Sequence, residues 1–391
     1  MLGVKWCRAM VKRKKRPVVA DCIYAGSDQD PDQRYLSGFF VPDPFLSLRI
    51  GRKSIGVFSD LEINRAQKES KFTEILSLTA VERSAREWRD RRNITVADQI
   101  AWLVNVYHID ILRLPQNFPV WVSEGLHKHK IDFQVVKGAL FPARLEKTGI
   151  EAEMVREGNR CSAAGFRLVR QMLEASEIKE GLIYFEGKPL TSERLREEID
   201  VTCMRMGGVA MSTIVAGGDQ ACDPHCVGSG PLAANELIIV DIFPRMMNHG
   251  YFGDMTRTFL KGEASDEQRR LVSTVHEAQK MALSMVRANA QARKIHRAVQ
   301  ALFEEKGYET KEVDGVPQGF FHGTGHGLGL EIHESIRIGN IKQILRPGFV
   351  VTIEPGLYYP GLGGCRIEDV VRVTKDGCEL LSNAPYEWEI P

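Results

Sequence analysis

Apolar and polar positions change their period along the chain, and the changes divide it. Residues 17–24 and 52–58 are short β-rich runs bounded by turn-forming residues, and both read as strands. Residues 96–106 put Ile100, Leu103 and Val104 on one face, which predicts a helix. Residues 120–122 and 133–136 are predicted as further strands, the first beginning after Pro119, a residue that suits a strand start. This stretch has an α/β pattern. His108, His127 and His129 stand isolated in it and read as surface or core histidines.

Beyond about residue 150 the helical period dominates. Residues 151–177 form a long helix candidate, with Phe166, Val169 and Leu173 spaced i, i+3, i+7. Residues 179–189 break the pattern with Gly181, Gly187 and Pro189. A second helix is predicted over 192–206, with Thr191 as N-cap, early Glu193, Glu197 and Glu198, and Gly207-Gly208 at its end. Residues 212–216 read as a short strand. Residues 237–243 and 250–260 read as two strands of a hairpin. Residues 265–289 are amphipathic, with Ser265 and Gln268 in capping-box spacing and a stripe of Leu271, Val275, Ala278, Ala282 and Met285. Another helix is predicted over 292–306, ended by Gly307, and strands over 348–353 and 366–373. No short-period repeat or low-complexity segment interrupts the chain.

Length and composition change the picture only modestly. At 391 residues two domains are expected, 1–148 and 149–391. With 43% apolar and 26% charged residues the chain reads as soluble and globular. A net charge of +1 supplies no global field to draw in nucleic acid or membrane. No apolar run approaches the ~18 residues of a membrane span. Residues 12–16 are basic, but no apolar segment and cleavage site follow, so no signal peptide is expected. A solvated tail is the simpler reading of that cluster than a nuclear address or phosphate patch. The eight cysteines include no C-x-x-C pair, and Cys222 and Cys226 lack the second thiolate pair of a zinc site. Reduced thiols in a cytoplasmic protein are the expectation.

Residues 320–334 concentrate the candidate chemistry. They hold His322, His326 and His333, three of the chain's ten histidines, among Gly323, Gly325, Gly327 and Gly329. Glycine lets backbone approach a ligand closely, and imidazole serves as metal ligand or proton carrier. A glycine-rich loop with merely exposed histidines is the plain alternative. Four acids stand where acids are costly: Asp241 inside an apolar strand, Asp254 in its partner, Glu354 after Val-Val-Thr-Ile, and Glu368 within Arg-Ile-Glu-Asp-Val-Val. Each alone reads equally well as an outward-facing strand residue. Four of them beside a histidine cluster weaken that alternative.

These pieces resemble the metal-dependent pita-bread peptidases: methionine aminopeptidase, aminopeptidase P and prolidase. The matching stretches are Val-Asp241 with Gly-Tyr-Phe-Gly-Asp254-Met-Thr-Arg-Thr-Phe, His322-Gly-Thr-Gly-His326 through His333-Glu, Thr-Ile-Glu354-Pro-Gly, and Cys-Arg366-Ile-Glu368-Asp-Val-Val. The resemblance implies an α/β N-terminal creatinase-like domain, traced locally by Tyr35-Leu36-Ser37-Gly38-Phe39, followed by an α+β pita-bread catalytic domain. That first domain speaks against methionine aminopeptidase.

The resemblance further implies a dinuclear centre. Asp254 and Glu368 would bridge two divalent ions, Asp241 would chelate one, and His326 and Glu354 would bind the other. Oxygen-rich donors suit Mn²⁺ first, with Co²⁺, Fe²⁺ or Zn²⁺ as alternatives. His225 would contact the substrate, and His322 and His333 would shuttle protons or donate hydrogen bonds. Arg366 would orient a carboxylate, and Glu354 would also accept a proton from water.

The activity implied is hydrolysis of an N-terminal Xaa-Pro bond, by dipeptidase or aminopeptidase action on peptides, in a homodimer. A non-catalytic binding module is the alternative, though such proteins usually lose several of the five ligands. A metal-free creatinase-type hydrolase ranks lower. The sequence departs from the pattern between Asp241 and Asp254, which are thirteen apart where about eleven is usual, with Phe243-Pro244 in place of a glycine. An even insertion keeps both aspartates on one face of a hairpin, so a reshaped specificity pocket is expected, with the metal site kept.

Overall fold

The computed structural model of the chain describes residues 16–90 and 92–391. Cys7 and the basic residues 12–15 lie outside the described residues. Two compact units divide the chain, Met1–Leu140 and Phe141–Pro391.

The first unit is a mixed six-stranded sheet with helices. Its strands are β1 (Val19–Ala25), β2 (Phe45–Ile50), β3 (Lys53–Phe58), β4 (Glu74–Ser77), β5 (Ile111–Pro115) and β6 (Phe133–Val136), in the order β4-β3-β2-β1-β5-β6. Pairing is antiparallel along β1-β2-β3 and parallel at β3-β4, β1-β5 and β5-β6. Its helices are α1 (Pro31–Ser37), α2 (Ile63–Glu69), α3 (Leu78–Arg89), α4 (Val96–Val106) and α5 (Val120–Lys128). The helix predicted over 96–106 is present, begun by a Thr95–Asp98 capping box.

The strand predicted at 120–122 is instead the first turn of α5. Pro119 sits at its N-cap, where a missing N–H costs the helix nothing, and Val122 and Leu126, four apart, bury its inner face. Three apolar residues were too short a window to tell period 2 from period 3.6. His129 is not isolated, because its Nε2 lies 3.1 Å from Asp98 and its Nδ1 3.0 Å from Arg89.

The second unit is built from two sheets, each backed by a pair of helices. One sheet runs Ile214–Gly217, Ile238–Ile242, Met255–Lys261 and Glu389–Ile390. Helices α6 (Gly149–Glu174) and α7 (Ser192–Arg205) share an apolar core with it. The other sheet runs Glu334–Ile338, Gly325–Gly327, Val350–Ile353, Asp369–Val373 and Cys378–Leu380. Helices α8 (Asp266–Met285) and α9 (Ala292–Glu305) share a core with that one. The segment predicted to break the pattern, 179–189, forms a small three-stranded sheet.

Local sequence explains the long helices. Thr148 and Glu151 close a capping box at the start of α6. Its buried stripe is Ala152, Val155, Asn159, Ser162, Phe166, Val169 and Leu173, alternating steps of three and four. Two polar residues sit on that stripe, and both hold the site described below. Ser265 and Gln268 cap α8 as predicted, and Thr191 caps α7.

Residues 141–148 pack with the second unit. Arg144 and Lys147 are buried there against Glu334, itself fully buried on the strand that follows the histidine-rich loop. Glu334 Oε1 also accepts the backbone N–H of Leu330, so the cluster holds the loop between Gly327 and Glu334 closed. Burial pushes the Lys147 ammonium below its ordinary range, against the pull of Glu334. A buried pair of this kind adds little net stability, but removing one partner strands the other. Lys147→Met is therefore expected to cost about 3–5 kcal/mol in urea unfolding, and the double change Lys147→Met/Glu334→Leu to recover most of that loss. Equal losses in both variants would show that the pairing is not what matters.

Candidate metal centre

The hairpin register decides where the first two acids point. Asp241 pairs with Thr256 on one side and Ile214 on the other. Asp254 is two residues before Thr256, so side-chain alternation turns Asp241 and Asp254 to the same face. The longer connection leaves that face unchanged, as the even count of inserted residues predicts. Ile242, between them in alternation, points the opposite way into the core shared with α6 and α7.

Close backbone packing holds Asp254 in place. A Cβ on Gly253 would sit 2.2 Å from the carbonyl carbon of Gly158 on α6, so the two chains touch where only glycine fits. One residue on, the Asp254 N–H donates to Asn159 Oδ1 at 2.9 Å. Ser162 donates to the Ile242 carbonyl at 2.7 Å. The polar pair on the α6 stripe thus grips the hairpin at both ends.

His326 arrives from the second sheet. Its N–H donates to Thr352 Oγ1 at 3.0 Å, and the strand bulges between His326 and Gly327. Gly325 lies so near the neighbouring strand that a Cβ would meet the Thr352 carbonyl oxygen at 1.9 Å. The His326 Nδ1 lies 3.2 Å from the Gly327 carbonyl, which can only accept, so Nδ1 carries the proton. Its Nε2 lone pair then faces Asp254 Oδ2 at 3.4 Å and Glu354 Oε1 at 3.6 Å. Burial, aided by His333, pushes the ring down to about 3, so the imidazole is neutral and able to ligate.

Glu368 is reached by a break in the last strand. The single strand predicted over 366–373 is two, Gly363–Arg366 and Asp369–Val373. The turn between them is fixed by the Glu368 N–H donating to the Thr256 carbonyl at 3.1 Å. Arg257 holds it from behind, donating to the Glu368 carbonyl at 2.7 Å and to Asp369 at 2.9 Å.

Asp241, Asp254, His326, Glu354 and Glu368 all line one cavity of about 600 Å³. Ligand atoms of Asp254, His326 and Glu368 lie within 4.8 Å of one another. Arg366 is the buried cation among these acids. It donates to Asp241 Oδ2 at 2.8 Å, to Thr256 Oγ1 at 3.3 Å and to the Tyr358 hydroxyl at 3.1 Å. Thr256 in turn donates to Glu368 Oε2 at 2.8 Å. One guanidinium cannot neutralise four carboxylates, and two oxygens stay buried with no hydrogen-bond partner, Asp241 Oδ1 and Glu368 Oε1. Unpartnered carboxyl oxygens around a neutral imidazole fit divalent cations.

The remaining predicted residues take different places around the same cavity. His225 and His333 line it with exposed rings, and His333 stands edge-on to His326 at 4.4 Å between centroids. His322 is bound more tightly. Its Nδ1 lies 2.7 Å from the Gly323 carbonyl and its Nε2 2.9 Å from the Tyr358 hydroxyl. The carbonyl only accepts, so Nδ1 carries the proton and Nε2 accepts from Tyr358. Burial, with Arg366 adding to it, lowers this ring to about 3, while burial raises the Tyr358 phenol to about 12. Neutral His322 therefore has no N–H left over for a substrate.

Sequence reasoning passed over Asn159, Ser162, Thr256, Tyr358 and Arg337. A signal existed for the first two, which are polar residues on an otherwise apolar helical stripe. Arg337 pairs with His326 across the sheet and lines the cavity, a juxtaposition that only the register reveals.

Two sheets with helix pairs behind them and a carboxylate-imidazole cradle between define a candidate divalent-metal centre on the pita-bread fold. Residues 153–375 match metallopeptidase family M24, and the chain belongs to that family. It is 33% identical over 222 residues to an Xaa-Pro dipeptidase of Pyrococcus furiosus, covering 55% of this chain and 61% of that protein. It is 34% identical over 229 residues to an uncharacterized peptidase of Methanocaldococcus jannaschii, covering 62% of it. The match thus spans about three fifths of the length of these curated relatives. Among solved structures, the Xaa-Pro dipeptidase from Bacillus anthracis superposes with a TM-score of 0.79 at 26% identity, over 96% of this chain and 95% of that one. The prolidase from Pyrococcus furiosus shares the fold at a TM-score of 0.72 and 24% identity, over 94% and 96% of the two chains. Membership of a metallopeptidase family implies divalent metal ions, with which the buried Asp254, His326 and Glu368 group is compatible.

Protons and metal compete for this cradle. Burial raises Asp254 and Glu368 well above the ordinary carboxyl range. Burial is also the main cause that brings Glu354 from 4.5 up to about 7, with Arg366 opposing. A raised carboxyl favours the metal-free fold below the unfolded value, and that contribution is lost as pH rises through the folded one. Below about pH 6.5 the depressed His322 and His326 oppose this loss, because their unfolded rings take up protons that the folded ones do not. Chelator-stripped protein is therefore expected to lose thermal stability as pH rises from about 6.5 through about 7, and added Mn²⁺ to raise Tm more at about pH 8 than at about pH 6. Equal gains at both pH values would count against the cradle.

Proposed function

We propose that the chain is a dinuclear metal-dependent exopeptidase that hydrolyses the bond between an N-terminal residue and proline, with dipeptides as preferred substrates. The observation that carries this reading is the cluster of buried, partly unpartnered carboxylates and one neutral imidazole on the floor of a peptide-sized cavity. The names of the relatives support the Xaa-Pro preference, and the size of the cavity suits a short peptide.

In this reading Asp241, Asp254, His326, Glu354 and Glu368 hold two divalent ions, manganese first. When bound, the metal supplies Lewis acidity toward water and the scissile carbonyl. The chain's own residues do the rest. Glu354 keeps 19% of its side chain exposed, so it is the acid able to exchange a proton with water in the cavity. The water oxygen goes to the carbonyl carbon, and its proton passes through Glu354 to the proline nitrogen as the C–N bond breaks. A proline amide has no N–H of its own, so this nitrogen depends on a delivered proton. His333 and His225 reach the cavity with exposed rings. They donate hydrogen bonds to the carbonyl oxygen as charge develops on it. His322 acts as fixed wall, with its lone pair held by Tyr358.

Arg337 supports the dipeptidase form. It rises beside His326 on the same face, with one guanidinium nitrogen, Nη1, donating to the Glu334 and Ile336 carbonyls, which leaves the rest of the group to pair with a free carboxylate two residues from the N-terminus. The reading also takes in a homodimer, carried over from the resemblance, and a cytoplasmic setting, carried over from the cysteine pattern. No helix among the described residues is long and apolar enough to cross a membrane.

The test offers Ala-Pro, Ala-Pro-Ala and Met-Ala-Ala to stripped protein with and without Mn²⁺. Metal-dependent cleavage of Ala-Pro is expected, with the tripeptides poor substrates. Loss of all cleavage would favour the binding-module alternative. In addition, Arg337→Met is expected to raise KM for Ala-Pro about tenfold or more while leaving Ala-Pro-amide unchanged. A similar loss on both substrates would remove Arg337 from the role of carboxylate anchor.

A further inference from the structure

The wall beside Asp241 is apolar and carries a large side chain that no core uses. Phe243 follows Asp241 by two residues, so alternation turns its ring to the cavity, which it lines. The ring is half-buried and stands outside the unit's two large apolar cores and the smaller cluster around Ile214 and Tyr358. Ile214 pairs directly with Asp241 across the sheet and lines the cavity on the same face. A phenyl ring and a branched aliphatic chain therefore flank the carboxylate.

This shelf is rigidly mounted. The carbonyl before Phe243 accepts from Ser162 at 2.7 Å. Pro244, after it, is buried, and its carbonyl accepts the Gly253 N–H at 2.9 Å. Beyond it, Arg245 pairs with Val209 and Met246 with Gly208 in a two-stranded ribbon. A backbone held at both flanks fixes the root of the Phe243 side chain when a ligand enters.

Chemistry assigns the occupant. A substrate's N-terminal ammonium is drawn to the carboxylates, while its far end, in the reading above, meets Arg337 on the other sheet. The N-terminal side chain then falls on the surface flanking Asp241. Resting on the proposed Xaa-Pro activity, we propose that Phe243 and Ile214 form the pocket for the N-terminal side chain, and that the Phe243 ring limits its size. Compact apolar residues such as alanine and leucine fit. Aromatic ones collide with the ring, and charged ones lose hydration against an apolar wall.

The experiment measures kcat/KM of Mn²⁺-loaded full-length enzyme on Ala-Pro, Leu-Pro, Phe-Pro and Asp-Pro for wild type, Phe243→Ala and Phe243→Leu. Wild type is expected to favour Leu-Pro over Phe-Pro and Asp-Pro by about tenfold or more. Phe243→Ala is expected to raise the Phe-Pro to Ala-Pro ratio about tenfold, chiefly through KM, with Phe243→Leu between. Metal content and Tm of each variant are measured alongside, and the comparison uses the variants that keep both. A ratio that stays constant while all substrates slow together would overturn this assignment and leave the Xaa-Pro reading standing. Wild-type enzyme that cleaves none of the four would overturn both.

Discussion

Four carboxylates forced together in one largely buried cradle are the constraint on which the second unit's cavity depends. At the short separations inside a protein their repulsion far exceeds what a single guanidinium can offset. Arg366 nevertheless touches Asp241 directly, Glu368 through Thr256, and His322 through Tyr358. One cation thus sets the geometry of a group it cannot neutralise. The remaining deficit would be met by divalent ions or by protons, and the surrounding backbone is held firmly against it. A site that repels itself would otherwise splay open.

The holding is done from behind, by groups with no chemistry of their own. Asn159 and Ser162 grip the hairpin from α6, Arg257 clamps the turn at Glu368, and Gln279 on α8 donates to Asp369 at 2.6 Å. Each helix pair therefore does two jobs. Its apolar stripe forms a core, and one or two polar residues on that stripe fix a strand that borders the cavity. Glycines at 158, 253 and 325 let backbone meet backbone where any side chain would push a ligand out of place.

Much of this was legible in the sequence. The long helices, their caps and the hairpin follow from period and capping chemistry, and the acids stood out because they interrupted apolar runs. What stayed hidden depends on register and on partners distant in the chain. The strand predicted over 366–373 breaks because Glu368 must bond Thr256, more than a hundred residues earlier. Arg337 gains a role only because it pairs with His326. The 120–122 run was misread because three residues carry no period. Residues 141–148 join the second unit because Lys147 is buried against Glu334, a contact that composition does not announce.

The order of the cavity-lining acids and His326 along the chain has a consequence for synthesis. Asp241, Asp254, His326, Glu354 and Glu368 sit on separate strands or strand ends, and the last lies close to the end of the matched region. A ribosome making this chain from its N-terminus exposes no finished cradle until Glu368 has emerged and the final strands have paired. A transcript cut short anywhere before that point yields a polypeptide with isolated acids and no shared cavity. The shared cavity is completed in one step, once those strands have paired.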